Sequence, residues 1–240
     1  MDNRHLEWAG CRNMRDLGGL PTGDGGTTRW RSIVRADSLD RLTPEGWNSL
    51  HAYGVRTVVD LREADELNPD VVRPAGITVV NVPLDDNADT AFWYRCTDDD
   101  IDGTPLYYRP FLDRKADRCA AALTAVARAG PDGVVVHCGI GRDRTGLVAL
   151  LLLALAGVSP EAIIDDYALS GERLRRHFDR DDDPVAERLA LLGTTIAGAL
   201  NSLLSEVDVE ARLRDAGLTG RDIHAVRDRM IVDNFGYRPR

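Results

Sequence analysis

The residues richest in chemistry are consecutive: His137-Cys138-Gly139-Ile140-Gly141-Arg142-Asp143-Arg144-Thr145-Gly146. A cysteine is followed six positions on by an arginine, with two glycines in between. Val134-Val135-Val136, just before, reads as a short buried strand. Leu147 to Val158, interrupted only by Gly157, reads as a buried helix too short to span a bilayer. A thiol is therefore expected at the carboxyl end of a strand, where open α/β sheets build their sites. Loop amides from Gly139 to Arg144 and the helix N-terminus then form an anion site, and the same field favours the thiolate of Cys138. A thiolate beside a bound phosphate can attack phosphorus in line and form a phosphocysteine. The planar fork of Arg144 can hold two equatorial oxygens. Gly139 and Gly141 admit close approach. Thr145 can donate its hydroxyl to the sulfur, and His137 is expected to orient the loop through backbone hydrogen bonds. The expected phosphate-binding set is Gly139, Ile140, Gly141, Arg142, Asp143 and Arg144.

The spacing alone is weak. Four cysteines among 29 arginines in 240 residues give about 0.5 chance matches to C-x5-R. The histidine before, the two glycines, the Thr-Gly after and the strand-then-helix context make it specific. A buried inert cysteine needs none of these.

Ester cleavage also needs a proton for the leaving oxygen, and a rim carboxyl can supply it. The strand-like stretch Ile77–Val82 runs into Pro83-Leu84-Asp85-Asp86, which puts Asp85 and Asp86 at the carboxyl edge of the sheet. Asp143, inside the loop, is a third candidate, and the residues alone leave all three open. Asp60 and Arg62, at the end of another strand, are expected to tie loops together. Tyr107, Tyr108 and Trp93 are candidates for lining a pocket or for core. The five histidines, His5, His51, His137, His177 and His224, are scattered and offer no metal spacing. No metal and no cofactor are expected.

The elements that must hold these groups can be read from the pattern. Trp30–Arg35, Val55–Asp60, Ile77–Val82 and Val134–His137 read as strands. Helical patterns lie between them: one opened by Thr43-Pro44-Glu45, another over 107–129. Short apolar strands alternating with helices predict an α/β fold with a central, mostly parallel sheet flanked by helices. Asn13 to Gly26 is rich in turn residues. Beyond Pro160 the chain reads as helical, over 160–177, 184–206, 208–216 and 219–231. One domain over 1–240 is expected, with an α/β core at about 10–158 and a helical portion at about 160–232. The segment 85–105 reads as a long surface loop or a lid. Asp98–Asp102 and Asp179–Asp183 read as solvated acidic loops.

Composition bounds the partners. Apolar residues make up 43%, enough for a core, and net charge is −9. So acidic a chain lacks the basic stripe that a nucleic-acid backbone requires. The four cysteines, Cys11, Cys96, Cys119 and Cys138, form no disulfide framework. Met1 to Trp8 is polar and has no apolar signal core. A soluble, reducing, cytoplasmic setting is expected, with no membrane span.

His-Cys-x-x-Gly-x-x-Arg-Thr-Gly resembles the signature of the protein-tyrosine-phosphatase superfamily. With Asp143 before Arg144 it is similar to the bacterial tyrosine phosphatase family whose loop reads His-Cys-x-x-Gly-Lys-Asp-Arg-Thr-Gly. Asn13-Met14-Arg15-Asp16-Leu17-Gly18-Gly19 resembles that family's opening motif, and Arg31-Ser32, Leu42-Thr43, Gly46 and Leu50 resemble the stretch after that motif. Gly54 to Arg62 with Glu66 resembles its Asp-Leu-Arg segment; Asp166-Tyr167 and Ser170 match a later helix motif. The resemblance spans about residues 10–175, and more weakly to about 232. It implies a tyrosine- or dual-specificity-phosphatase-like activity on a phosphorylated substrate, through a phosphocysteine at Cys138. It also favours Asp86 as the acid. Arg142 stands where that family has lysine, a change that keeps charge but alters geometry. The alternative substrates are a nucleotide, sugar, inositol or lipid phosphate, in a biosynthetic role or otherwise. A non-catalytic phosphate-binding module is a further reading. A rhodanese-type sulfurtransferase fits less well, because its loop is one residue shorter and lacks the Thr-Gly.

Overall fold

The computed structural model describes residues 4–178 and 183–232. Its sheet has five strands in the order β1-β2-β5-β3-β4. These are β1 (Arg15–Asp16), β2 (Ile33–Ala36), β3 (Val55–Asp60), β4 (Thr78–Asn81) and β5 (Gly133–His137). β5 lies between β2 and β3 and is parallel to both, β4 extends the parallel set beyond β3, and only β1 is antiparallel. The expected α/β class with a mostly parallel sheet is what forms.

A parallel strand covered on both faces must be apolar on both. β5 meets that rule, since all five of its residues are buried. Its valines alternate between faces, as a period of two requires. Val134 and Val136 join the larger core with α3 (Tyr108–Ala127) and α4 (Asp143–Leu155), and Val135 joins the smaller one with Trp47 and Leu50 of α1 (Pro44–Tyr53). α4 is apolar nearly all round and correspondingly buried.

Several boundaries differ from the sequence reading. Arg31 has φ of +62°, so the strand starts at Ile33 rather than Trp30. The 85–105 segment is not a long loop: it holds α2 (Thr90–Asp98), capped by the Asp89 side chain, and a 3-10 turn comes next at Pro105–Tyr107. After α5 (Pro160–Phe178), the expected single helix over 184–206 is two, α6 (Pro184–Leu191) and α7 (Ile196–Glu206). Gly193 at φ +74° breaks it, and Thr195 caps the second half by accepting from Gly198 N. α8 (Val209–Asp215) and α9 (Gly220–Met230) pack against α3 and α4. Asp98–Asp102 runs from the end of α2 into a turn; of Asp179–Asp183, all but Asp183 lies outside the described residues. No single helix among the described residues is long and apolar enough to cross a membrane.

Candidate active site

The ladders fix where the thiol stands. Ala36 pairs with His137 on one side and Asp60 pairs with His137 on the other. The next residue, Cys138, therefore emerges at the common carboxyl end of three strands. It is 2% exposed, and Thr145 Oγ1, in the first turn of α4, donates to its Sγ at 3.1 Å.

Four successive carbonyls of the loop after β5 are held on its outer side. Cys138 O lies 3.2 Å from His137 Nδ1, Gly139 O accepts from Ser38 N at 2.9 Å, and Ile140 O accepts from Asn13 Nδ2 at 3.1 Å. Gly141 O accepts from Arg35 Nη2 at 2.9 Å. In a trans peptide the N–H points opposite to the C=O, and no peptide bond here is cis. The amides of Gly139, Ile140, Gly141 and Arg142 therefore face the concave side, together with the N-terminus of α4. Gly141 is required for this path. Its φ is +73°, and a Cβ there would sit 2.6 Å from Ala36 O and from Asp37 N.

Behind the loop lies a dry ionic network. Asp166 on α5 is bridged by Arg15 Nε at 3.0 Å, Arg35 Nη1 at 2.7 Å and Arg4 Nη1 at 2.8 Å. Ser170 Oγ accepts from Arg15 Nη2 at 3.1 Å, and Asn13 Oδ1 accepts from Arg15 Nη1 at 2.9 Å. Burial pushes the Asp166 carboxyl up, but Arg15, Arg35 and Arg4 outweigh it and hold it well below the usual carboxylate range. His137 is backed in the same way. Its Nε2 is 3.4 Å from Asp60 Oδ2, and Asp60 in turn binds Arg62, which also binds Asp40. Burial raises the Asp60 carboxyl, yet the bonds from His137 and Arg62 leave it lowered overall. Asp60 and Arg62 thus join the strand ends, as their position in the sequence suggests.

On the open side, the Arg144 guanidinium is bound by both oxygens of Glu66, with Nη2–Oε1 at 2.7 Å, and Asp85 Oδ2 lies 3.3 Å from its Nη1. Burial pushes the Asp85 carboxyl up to about 6; Arg144 opposes this, while Glu66, Glu63 and Asp143 add to it. Asp86, favoured on the resemblance, is turned away. Its φ is +52°, and its carboxylate faces α3, 3.6 Å from Lys115 Nζ and 3.4 Å from Arg118 Nη2. The turn that carries both aspartates sends adjacent side chains in different directions, so Asp85 takes the position beside Arg144. Asp143 is occupied by its neighbour, with Arg142 Nε at 3.0 Å from Oδ1. Ile140 is exposed at the rim.

Tyr107 and Tyr108 are buried and form part of a ring cluster with Phe92, Trp93 and Phe111. Tyr108 OH donates to Asp143 O at 2.8 Å, which ties α3 to the start of α4. The sequence pattern gives Glu66, Asn13, Arg15, Asp166 and Ser170 no role beyond motif membership, and Arg35 none beyond the end of a strand. A signal for Arg35 does exist: a charged residue inside the apolar strand Ile33-Val34-Arg35-Ala36 must find a buried partner.

Residues 6–232 match the Tyrosine phosphatase family. The chain is 28% identical over 256 residues to the triple specificity protein phosphatase PtpB of Mycobacterium tuberculosis, covering 95% of this chain and 88% of that one. It is 30% identical over 161 residues to a tyrosine-protein phosphatase of Nostoc commune, covering 65% of this chain and 53% of the relative. A crystal structure of P. aeruginosa TpbA in complex with phosphotyrosine aligns at 15% identity with a TM-score of 0.42, over 78% of this chain and 86% of that one.

Proposed function

Because the chain belongs to the tyrosine phosphatase family, we propose that its cysteine-dependent phosphatase activity runs on Cys138, Arg144 and Asp85 and is directed at protein phosphotyrosine. The phosphate seats on the amides of Gly139 to Arg142 and on the Arg144 fork. The Cys138 thiolate forms a bond to phosphorus as the bond to the ester oxygen breaks, and Asp85 gives its proton to that oxygen. Water then attacks phosphorus, the Asp85 carboxylate takes the water's proton, and the S–P bond breaks to release phosphate. The Thr145 hydroxyl stabilises the sulfur as it leaves. The observation that supports this reading is the anchoring of four successive loop carbonyls by His137, Ser38, Asn13 and Arg35, which leaves the matching amides on the opposite side, available to an anion.

Asp85 replaces Asp86 as the acid in this reading. Its carboxyl is beside Arg144 and is pushed up to about 6, so a useful fraction carries the proton near neutrality. A polyphosphorylated small molecule draws less support, because Asp143 already binds the Arg142 guanidinium. The names of the two relatives favour protein substrates. The chain acts as one phosphatase domain, with α8 and α9 completing the core beneath α3 and α4. Its free cysteines suit a reducing, cytoplasmic setting.

The test is a screen of the purified protein on phosphotyrosine peptides, phosphoserine peptides, phosphoinositides and nucleotides. Phosphotyrosine peptides should give the highest kcat/KM. A clear preference for phosphoinositides or nucleotides would overturn the substrate assignment and leave the cysteine chemistry standing.

A further inference from the structure

α3 carries one buried cation that the chemistry above does not use. Lys115 is the single lysine among 30 basic residues, and it is 3% exposed. Its Nζ donates to Asp85 O at 2.9 Å and to Asp86 O at 3.1 Å. It lies 3.6 Å and 3.5 Å from the carboxylates of Asp86 and Asp89, and 5.0 Å and 5.7 Å from the ring centroids of Phe92 and Trp93. The helix bends to allow this: Lys115 itself has φ −132° and ψ 29°, inside α3. Trp93 Nε1 donates to the same Asp85 carbonyl at 3.1 Å, and Glu63 Oε1 accepts from Asp86 N at 2.9 Å. The turn is thus gripped through its backbone, while the Asp85 carboxylate stays free to face Arg144.

We propose that Lys115 is a positioning residue that clamps the Asp85–Asp86 turn, so that the Asp85 carboxyl is set against Arg144 before a substrate arrives. This rests on the reading of Asp85 as the proton donor. The ammonium suits the task and a guanidinium does not. Three donors on a compact head reach two neighbouring carbonyls and an aromatic face, whereas a planar fork of larger span does not fit that space. In a chain whose other 29 basic residues are all arginine, this is the position where arginine's shape fails. Lys115 acts through the backbone, at a distance from the reacting atoms.

The experiment compares Lys115→Met, Lys115→Arg and the milder Trp93→Phe, which removes one donor to the same carbonyl and trims the ring beside Lys115 while keeping an aromatic side chain. Phenyl phosphate, with a basic leaving group, should lose about tenfold in kcat with Lys115→Met; p-nitrophenyl phosphate should lose about twofold or less, and vanadate inhibition should hold. Lys115→Arg should fail to rescue, and Trp93→Phe should shift the same ratio by a smaller factor. In an Asp85→Asn background, Lys115→Met should add nothing. Amide hydrogen exchange at residues 85–89 should rise in the Lys115 variants while the thermal transition stays cooperative. Equal losses on both substrates, rescue by arginine or unchanged exchange would overturn the clamp. If Lys115→Met does not fold, the Trp93→Phe ratio and exchange decide the matter, and no shift in either rejects the proposal. If exchange rises but Asp85→Asn lacks leaving-group dependence, the clamp stands as structure and the acid reading fails, taking the catalytic role of Lys115 with it.

Discussion

The two flanks of the Cys138 loop use the same chemistry, arginine against carboxylate, in opposite ways. Behind the loop, Arg15, Arg35 and Asp166 have side chains no more than 1% exposed. In front, Arg144, Glu66 and Asp85 are 15%, 32% and 19% exposed. Removing one member of a dry network strands a buried charge and costs about 3–5 kcal/mol, whereas a partly wet pair is worth about 0–1 kcal/mol. The rear network is therefore close to all-or-none, and the front pairs can be exchanged. A loop that must receive a phosphate gains from this asymmetry: its shape is held from the side that never opens, and Arg144 can trade Glu66 for a ligand oxygen.

The largest expected effect lies between the two flanks. Cys138→Ser should abolish turnover, with a loss of about 10⁴-fold or more, yet vanadate or phosphate should still bind, because the amides and both flanks remain. Activity should also survive chelators and be lost to hydrogen peroxide. Residual turnover above a trace in the serine variant would break the covalent mechanism, and a large fall in its melting temperature would show that the thiol also supports the rear wall.

The rear is tested by Asp166→Asn. The loss of about 3–5 kcal/mol should lower the melting temperature by roughly 10 °C. The sign with pH comes from the lowered Asp166 carboxyl. Its contribution is present in full above the unfolded value near 4 and fades only as pH falls through the much lower folded value. The gap between wild type and variant should thus persist through mild acid. A gap under about 1 kcal/mol would make the rear no different from the front.

The front is tested by Asp85→Asn. Turnover of phenyl phosphate should fall about 10²-fold, with a much smaller loss on p-nitrophenyl phosphate. Wild-type activity should decline as pH rises through about 6, where Asp85 loses its proton, and that limb should vanish in the variant. Stability moves the other way. With a raised carboxyl, the fold favours the neutral form, so the cost of ionisation is absent below about 4 and complete above about 6; at pH 7.5 the asparagine variant should be more stable by about 1–3 kcal/mol. Asp86→Asn and Asp143→Asn are the controls. Leaving-group dependence in either one, and not in Asp85→Asn, would move the acid elsewhere.

The smallest effect should come from Arg142→Lys, about twofold or less in kcat/KM on a phosphotyrosine peptide, since a lysine can still pair with Asp143 at this largely buried site. A large shift in substrate preference would mark Arg142 as a specificity residue.

What was legible in the sequence was whatever is local. The strand, the loop and the helix over 133–158 lie in one stretch, and their periodicities switch where the chemistry sits. The choice between Asp85 and Asp86 was not legible, because it depends on one left-handed φ at Asp86 and on Lys115, about 30 positions away. The rear network was fragmentary for the same reason. Arg35 and Asp166 are 131 residues apart and meet only after α5 crosses the loop. α2 is hard to read because it is only nine residues long and its apolar residues, Ala91 to Tyr94, are consecutive rather than spaced at helical intervals.

The central place of β5 limits how such a scaffold can diversify. A residue inserted between Gly133 and His137 would break two ladders at once and send every valine to the wrong face. The height of the thiol is thus closed to adjustment by length. Among the described residues β4 is bonded to β3 alone; it is largely exposed and leads directly into the segment that carries Asp85 and α2. Past the clamped Asp85–Asp86 turn, insertions and deletions in the exposed stretch from Thr97 to Asp100, at the end of α2, would meet far less resistance. New substrate ranges would be written there, at the margin of the sheet, by reshaping the wall around an unmoved nucleophile.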